Sequence, residues 1–492
     1  MNKNFNKTLL LIIILNFLSK IVLINWNGAE YTDSISYMTI STIGKSKWMP
    51  VYPYMIYFVR LFVRNPLYSG RLTSIIISTL SLLPLYSITR RLYDKRAALY
   101  SSLLYIVAPM ITRWSIRVMT EASFSFFLLL SLWFIQKWYD SKKEIYLSLM
   151  VGFTGIAALT RPEGIALLPL ALFFVGYIVF NRTRLRFSCL NIIKTLLYCI
   201  TGLVPWALQI LWHWKIVGRY GYGQELHGGI EKVTVAKYFK YFGLYFAYLP
   251  YIITPFVFAF SIYGIYKSIR LWRENSFRII YLLISAYILL SWIIGLSFHW
   301  AFTTRFMFPI VVLMIIFSGY GISNITGDKL RKAFFSICMV TSLAFTVIVL
   351  IYSRATFEDI RYSAYFIRDN VPVNAKIFST ELGKTRFWSG RKIDKYNREK
   401  LNSGDYVMLQ NIYTDFDWEL KYLKDHYKTD IIYYKSGVVI PLLADEMYMR
   451  SFKRRDGTIG YRGSGNQPIS LNTQFSKHKF ESVVILIKGR SN

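Results

Sequence analysis

The chain has 492 residues, of which 54% are hydrophobic and 18% aromatic, an excess that excludes an ordinary soluble protein and marks an integral membrane protein. Its formal net charge of +32 does not indicate a nucleic-acid partner, because the basic residues are dispersed in short clusters between apolar runs; cytoplasmic loops and contacts with anionic membrane lipids account for them. Cys189, Cys199 and Cys338 all fall in or beside apolar runs and point to neither a disulfide framework nor a metal cluster.

Taken in chain order, Thr8 to Ile24 is an apolar run of about one bilayer thickness behind the basic start MNKNFNK, and reads as an uncleaved signal anchor. The alternative, a cleavable signal peptide, is countered by Asn16, Lys20 and Trp26 where small residues would be needed. With the N-terminus inside, residues 26–70 emerge outside. This stretch begins WNGAEYTDSISY and carries Glu30 and Asp33 among Tyr31, Tyr37, Trp48 and Tyr52, rings suited to a membrane-water interface. Tyr54 to Tyr68 is apolar but interrupted by Arg60 and Arg64, and reads as one interfacial helix.

The spans then run over 71–89, 97–112, 118–136, 144–160, 164–180, 191–212, 242–266, 279–298, 306–323 and 333–352, about eleven with the first. This register puts the basic connections 90–96, 137–143, 181–194, 267–278 and 328–332 on the cytoplasmic side, as the positive-inside rule asks. The same alternation puts 112–117, 161–164, 214–241, 299–305 and everything after Ser353 outside. From Arg354 the composition becomes mixed and charged. A helix is expected over 357–370 and strands over 375–380, 406–410, 429–434 and 483–488, a small α/β domain without a nucleotide-binding glycine loop. The fold class is therefore a polytopic α-helical membrane protein, residues 1–353, with a C-terminal extracytoplasmic α/β domain, residues 354–492.

The outward face collects the residues that could carry chemistry. Asp33 and Glu121 are two carboxylates, enough for a general base, or for a base and a metal ligand; a solvated Asp33 and a Glu121 paired with Arg117 one turn earlier are the alternatives. Arg161 and Arg305 stand at outer span ends, where the orientation rule gives no reason for them, and arginine binds phosphate through planar paired donors. Lys45, Lys47 and Arg71 could assist them, and contact with lipid head groups is the alternative. His299 and His227 are external, and neither sits in a convincing zinc motif.

The order of YTDSISY, MPVYPYMIYF, RLTSIIISTLSLLPLYSITRRLYDKRAALYSSLLYIVAPM, MTEASFSFFLLLSLW with LTRPEGIALLPL, and TTRFMFPIVVLMII resembles the polyprenyl-phosphate-dependent glycosyltransferases of the GT-C superfamily. The similar branch holds the protein O-mannosyltransferases and the lipid A aminoarabinose transferase. The resemblance covers roughly residues 8–352. It implies transfer of a sugar from a polyprenyl-phosphate donor to an acceptor glycan, lipid or protein, with inversion, in the cell membrane, without nucleotide cofactor or nucleic acid. It implies Asp33 as base and Glu121 as metal or acceptor ligand, so that Asp33 and Glu121 would hold any divalent cation. Arg305, with Arg161 as a looser match and Arg71 and Lys47 assisting, would hold the donor phosphate; Glu30, Tyr37, Tyr52 and His299 are candidate substrate contacts. Ser34 follows Asp33, so the Asp-Glu pair of protein O-mannosyltransferases is missing. A transporter or flippase for a lipid-linked saccharide is the alternative; it would show half-repeats or midplane charges.

Overall fold

The computed structural model describes residues 3–27, 30–39, 49–161, 235–270, 276–297, 304–355, 358–411, 416–439, 451–453, 459–461 and 478–491, with single positions between 164 and 214. The chain forms two compact units, Met1–Ile24 with Tyr37–Val347, and Asn25–Ser36 with Ile348–Asn492.

The first unit is helical. Its elements begin with α1 (Lys3–Val22); α2 (Thr32–Thr39) starts in the second unit and ends in the first, and α3 (Val51–Arg60) follows. Next come α4 (Pro66–Leu80), α5 (Leu82–Leu92), α6 (Lys95–Val107), α7 (Pro109–Ser115), α8 (Glu121–Ser141) and α9 (Ile145–Ala158). After them come α10 (Val235–Ile253), α11 (Pro255–Arg270), α12 (Ser276–Ser297), a 3-10 turn (Thr304–Met307), α13 (Phe308–Ser323) and α14 (Asp328–Ala355), whose residues from Ile348 belong to the second unit.

Among the described residues three helical stretches are long and apolar enough to cross a membrane, Pro66–Leu92, Arg305–Ser323 and Asp328–Ile351, with a fourth if the bent pair α10–α11 is one span. Most of the spans expected over 164–180 and 191–212 lie outside the described residues. Two expectations are corrected. The interfacial helix of 54–68 is instead α3, which ends at Arg60, and a separate α4 started by Asn65 and Pro66. Asn65 Oδ1 accepts from the Leu67 and Tyr68 amides, satisfying donors that a helix start leaves orphaned. The single span of 242–266 is bent by 107° between α10 and α11, at Thr254, whose φ is 81°. Pro255 lacks an amide hydrogen and its ring disfavours helical backbone at the residue before it, so the helix stops and restarts there.

The bundle is held by polar and small contacts rather than by apolar burial alone. Asn16 donates to Thr79 Oγ1 at 3.0 Å and Lys20 to Ser78 Oγ at 2.7 Å, fixing α1 against α4. At the crossing of α11 and α13, a Cβ on Gly264 would lie 2.0 Å from the Phe317 carbonyl oxygen, and one on Gly321 2.2 Å from that of Phe260. Glycine is required at both positions, as in closely approaching membrane helices. α13 itself is buried along nearly its whole length and packs on both α6 and α11.

In the second unit, α15 (Glu358–Asn370), β1 (Ile377–Ser379), α16 (Leu382–Ser389), β2 (Asp394–Lys395), β3 (Tyr406–Gln410), α17 (Phe416–His426) and β4 (Tyr427–Val439) precede β5 (Ser451–Lys453), β6 (Ile459–Tyr461) and β7 (His478–Arg490). The main sheet has the order β2-β1-β3-β7-β4; β1 runs parallel to β2 and β3, and β7 antiparallel to β3 and β4. Phe378, Val407, Leu409, Val483, Ile485 and Leu423 form its core on one face. α15 docks by Ile360, Ala364 and Ile367, with Ser363 Oγ 2.6 Å from Ser482 Oγ. The segment ahead of α2 belongs to this unit by contact as well: Trp26 Nε1 donates to the Leu350 carbonyl at 2.7 Å, and Ser353 Oγ to Asn27 Oδ1 at 2.8 Å.

Candidate active site

α8 opens on Glu121, where the exposed amides and dipole of a helix start favour a negative charge. The helix turns back at Lys142, in the left-handed region at φ 58°, and α9 returns beside it. Ser131 Oγ lies 2.6 Å from Thr154 Oγ1 and donates to the Met150 carbonyl, which pins the hairpin at its middle. The end of α9 is thereby brought level with the start of α8. Arg161 follows directly, and its Nη1 donates to Glu121 Oε1 at 2.7 Å and to Thr120 Oγ1 at 3.1 Å. A third strand of chain arrives from the turn ahead of α13, where Arg305 Nε stands 4.0 Å from the same Glu121 oxygen.

The cluster is shielded from solvent: the side chains of Glu121, Arg161 and Arg305 are 1%, 8% and 13% exposed. A carboxylate so placed is tolerable only with charge-assisted partners, and two guanidinium groups supply them. Both cations approach the Phe306 ring, whose centroid is 4.7 Å from the Arg161 guanidinium carbon and 4.9 Å from that of Arg305. Its backbone is anchored in turn, since Trp292 Nε1 donates to the Phe306 carbonyl at 2.6 Å and the Trp292 ring packs 4.9 Å from Phe124, one turn into α8. Glu121 pairs with Arg161, so the alternative partner Arg117 is not the one used; Arg117 and Arg113 lie fully buried with their guanidinium groups over Trp114.

Of the residues singled out in the sequence, Glu121, Arg161 and Arg305 are brought together. Tyr52 is buried, with its hydroxyl 2.6 Å from Ser74 Oγ and its ring edge-on to Tyr37 at 5.5 Å. Arg71 donates Nη1 to the Ile24 carbonyl at 2.6 Å, tying α4 to the exit of α1. Asp33 stands half-buried in the first turn of α2 and Glu30 is buried just before it, both within the second unit. Lys45, Lys47, His227 and His299 lie outside the described residues. Thr120, Phe306 and Trp292 escaped sequence reasoning; an aromatic residue beside an interfacial arginine is a signal in principle, but apolar flanks hide it among lipid-facing rings.

At Glu121 one carboxylate oxygen is taken by arginine and the other, Oε2, is buried without a hydrogen-bond partner among the described residues. The second cation nearby adds repulsion toward a divalent ion, and no group of three or more His, Cys, Asp and Glu side chains gathers among the described residues.

An acid and two arginines are buried at one end of a polar-laced helical bundle, and the fold is similar to that of solved membrane glycosyltransferases. Residues 47–212 match the profile of the dolichyl-phosphate-mannose-protein mannosyltransferase family. ArnT of Cupriavidus metallidurans, solved bound to undecaprenyl phosphate, is similar with a TM-score of 0.61 at 12% identity over 86% of this chain and 96% of that one. The Archaeoglobus fulgidus oligosaccharyltransferase solved with zinc and sulfate gives 0.52 at 14% identity, over 94% of this chain and 74% of that one. The oligosaccharyltransferase AglB from Archaeoglobus fulgidus, in complex with an inhibitory peptide and a dolichol-phosphate, gives 0.50 at 14% identity, over 94% of this chain and 75% of that one. No curated protein matches the chain by sequence. The resemblance read from the sequence is borne out at the level of the fold, and the family profile covers the first part of the helical unit, residues 47–212.

Proposed function

We propose that the protein moves a sugar from a polyprenyl-phosphate-linked donor to an acceptor glycan, lipid or protein on the extracytoplasmic face of the cell membrane. The observation that carries this reading is the convergence of Arg161 and Arg305 on Glu121 at the head of the α8–α12 interface. Further along α8 that interface is closely packed, leaving only a small gap of about 20 Å³ between Leu128, Ser131, Leu132, Thr154, Ile284 and Ile288. The arginine end suits the phosphate of such a donor. The lipids present with ArnT and AglB, undecaprenyl phosphate and dolichol-phosphate, support the same chemistry.

In the proposed reaction Asp33 takes the proton from the acceptor hydroxyl or amine as it attacks the anomeric carbon. The bond from that carbon to the phosphate oxygen breaks, and the lipid phosphate leaves with the electron pair. Arg305 stabilises the charge gathering on the phosphate, an electrostatic contribution that is often the largest single term in catalysis. Residues 1–353 form the transferase domain, with about eleven spans, a cytoplasmic N-terminus and the loop 26–70 outside; residues 354–492 form an extracytoplasmic α/β domain. Glu30, Tyr37, Tyr52 and His299 serve the substrates, and Lys47 and Arg71 assist the donor phosphate.

Purified protein incubated with a panel of polyprenyl-phosphate sugars and candidate acceptors should release lipid phosphate together with a modified acceptor, both read by mass spectrometry. Movement of intact donor across vesicles without cleavage would favour the flippase instead, a reading that neither the family match nor the fold supports.

A further inference from the structure

Asp33, the proposed base, lies in a stretch that does not group with the helix ahead of it. α1 belongs to the helical unit, yet Asn25–Ser36 packs with Ile348–Asn492. The contacts responsible include two at the front of this stretch. Trp26 Nε1 donates to the Leu350 carbonyl at 2.7 Å, and the Arg354 guanidinium carbon stands over the Trp26 ring, 5.2 Å from its centre, within reach of the attraction between a cation and a π face. Leu350 and Arg354 are one turn apart on α14, so the indole is gripped twice by the same helix.

Asn27 is held next. Ser353 Oγ donates to its side-chain oxygen at 2.8 Å, and Arg361 Nη1 to its carbonyl at 3.4 Å. Arg361 brings in the α/β core. It stands on α15, with its guanidinium carbon 5.9 Å from the centre of the Trp388 ring on α16 and Glu358 3.8 Å away. α15 is bonded in turn to the sheet at Ser482 of β7, whose Oγ lies 2.6 Å from Ser363 Oγ and donates to the Asp359 carbonyl at 3.0 Å. A path of bonds therefore leads from β7 through α15 to the backbone of Asn27, shortly ahead of Asp33. Beyond it Glu30, Tyr31 and Ser34 are buried, and the Ile35 amide donates to the Tyr31 carbonyl at 3.0 Å in the first turn of α2.

We propose that the C-terminal unit is a positioning element for sugar transfer: through Trp26 and Arg361 it fixes the segment that presents Asp33 to the acceptor. The inference rests on the glycosyltransferase reading given above, with Asp33 as base, and gives the α/β domain a part in it. A catalytic group displaced by about 1 Å can lose about a hundredfold in rate. Such a domain governs turnover without touching a substrate.

The test uses the purified full-length protein in detergent and three readouts: amide hydrogen exchange by mass spectrometry, turnover of undecaprenyl-phosphate-linked sugars, and affinity for undecaprenyl phosphate. Trp26→Leu and Arg361→Met should each speed exchange of peptides covering residues 30–36 about tenfold, with residues 145–158 and 483–487 unchanged. Both should lower kcat about tenfold and leave undecaprenyl phosphate affinity within about twofold of wild type. Trp26→Phe keeps a ring for Arg354 and loses only the bond to Leu350, so it should fall between. If Arg361→Met also loosens residues 483–487, Trp26→Leu, whose site is outside the α/β fold, carries the test. Unchanged exchange over 30–36 in both variants would overturn the proposal, and so would faster exchange there with wild-type kcat. General loosening by both would overturn it as well, because the contacts would then serve stability alone. Absence of turnover by the wild type with every donor would instead remove the glycosyltransferase reading and the role of Asp33 with it, while exchange would still decide whether the C-terminal unit fastens the segment.

Discussion

Arg161 donates to Glu121 at 2.7 Å with both side chains buried, joining the residue just beyond the end of α9 to the first residue of α8. The pair closes the helical hairpin at the end where the chemistry is proposed. Stability and function therefore meet in one contact.

Removing one member of such a pair strands the other. Arg161→Met should destabilise the protein by about 1–3 kcal/mol, because the buried carboxylate loses its shortest charge-assisted hydrogen bond and keeps only the longer approach of Arg305. The double variant Arg161→Met with Glu121→Gln should recover part of that loss. Thermal unfolding of the four proteins of the cycle in one detergent measures both quantities.

The two proposed charges at the reacting centre separate by the parameter they change. Asp33→Asn should abolish sugar transfer while undecaprenyl phosphate still binds, since the carboxylate acts on the acceptor. Arg305→Lys should raise KM for the donor more than it lowers kcat, because lysine keeps the charge but loses the planar paired donors. Steady-state assays over a range of donor concentration distinguish the two patterns; normal turnover by Asp33→Asn removes that residue from the mechanism.

In the second unit, burial pushes the Asp359 carboxyl up from its ordinary 3.8 to about 6, against the opposing hydrogen bond from Gln410 and the charge of Lys384. Between about pH 4 and 6 the unfolded chain has lost this proton and the folded chain keeps it, so stability falls as pH rises through that window and is level above it. The loss amounts to about 3 kcal/mol for a shift of this size. Asp359→Asn should flatten the profile, and amide exchange of Val483 to Ile487 in the full-length protein, variant against wild type at pH 4.5 and 7.5, reads the difference. Equal protection ratios at both pH values would refute it.

At the crossing of α11 and α13, Gly321→Ala would set a methyl group 2.2 Å from the Phe260 carbonyl oxygen, and neither backbone can give way cheaply. A loss of about 1–3 kcal/mol is expected from forcing the helices apart. Gly243→Ala, where a Cβ meets nothing within 4 Å, is the control and should leave the unfolding temperature nearly unchanged.

Much of this arrangement is written locally in the chain. A glutamate opening an apolar run and arginines at span ends stand out because charge at those depths needs a reason, and Glu121, Arg161 and Arg305 were found that way. Pro255 carries the signal for the bend at Thr254, but the apolar run continues on both sides of it and reads as one span. The break between α3 and α4 was likewise signalled by Asn65-Pro66 and masked by apolar neighbours. The placement of β7 between β3 and β4, and the approach of Arg161 to Phe306, depend on residues far apart in sequence. No period or short motif records them.

The enclosure of α13 carries a last consequence. Of its membrane-length window, 94% is covered by protein, so this helix is solvated by its neighbours and not by acyl chains. Its fit is set by the bundle, and a thicker or thinner bilayer exerts no direct mismatch force on it. Because Arg305 and Phe306 sit at its head, they should keep their geometry when the protein is moved between membranes of different composition, and any adjustment should fall on α14, whose surface meets the surroundings over most of its length.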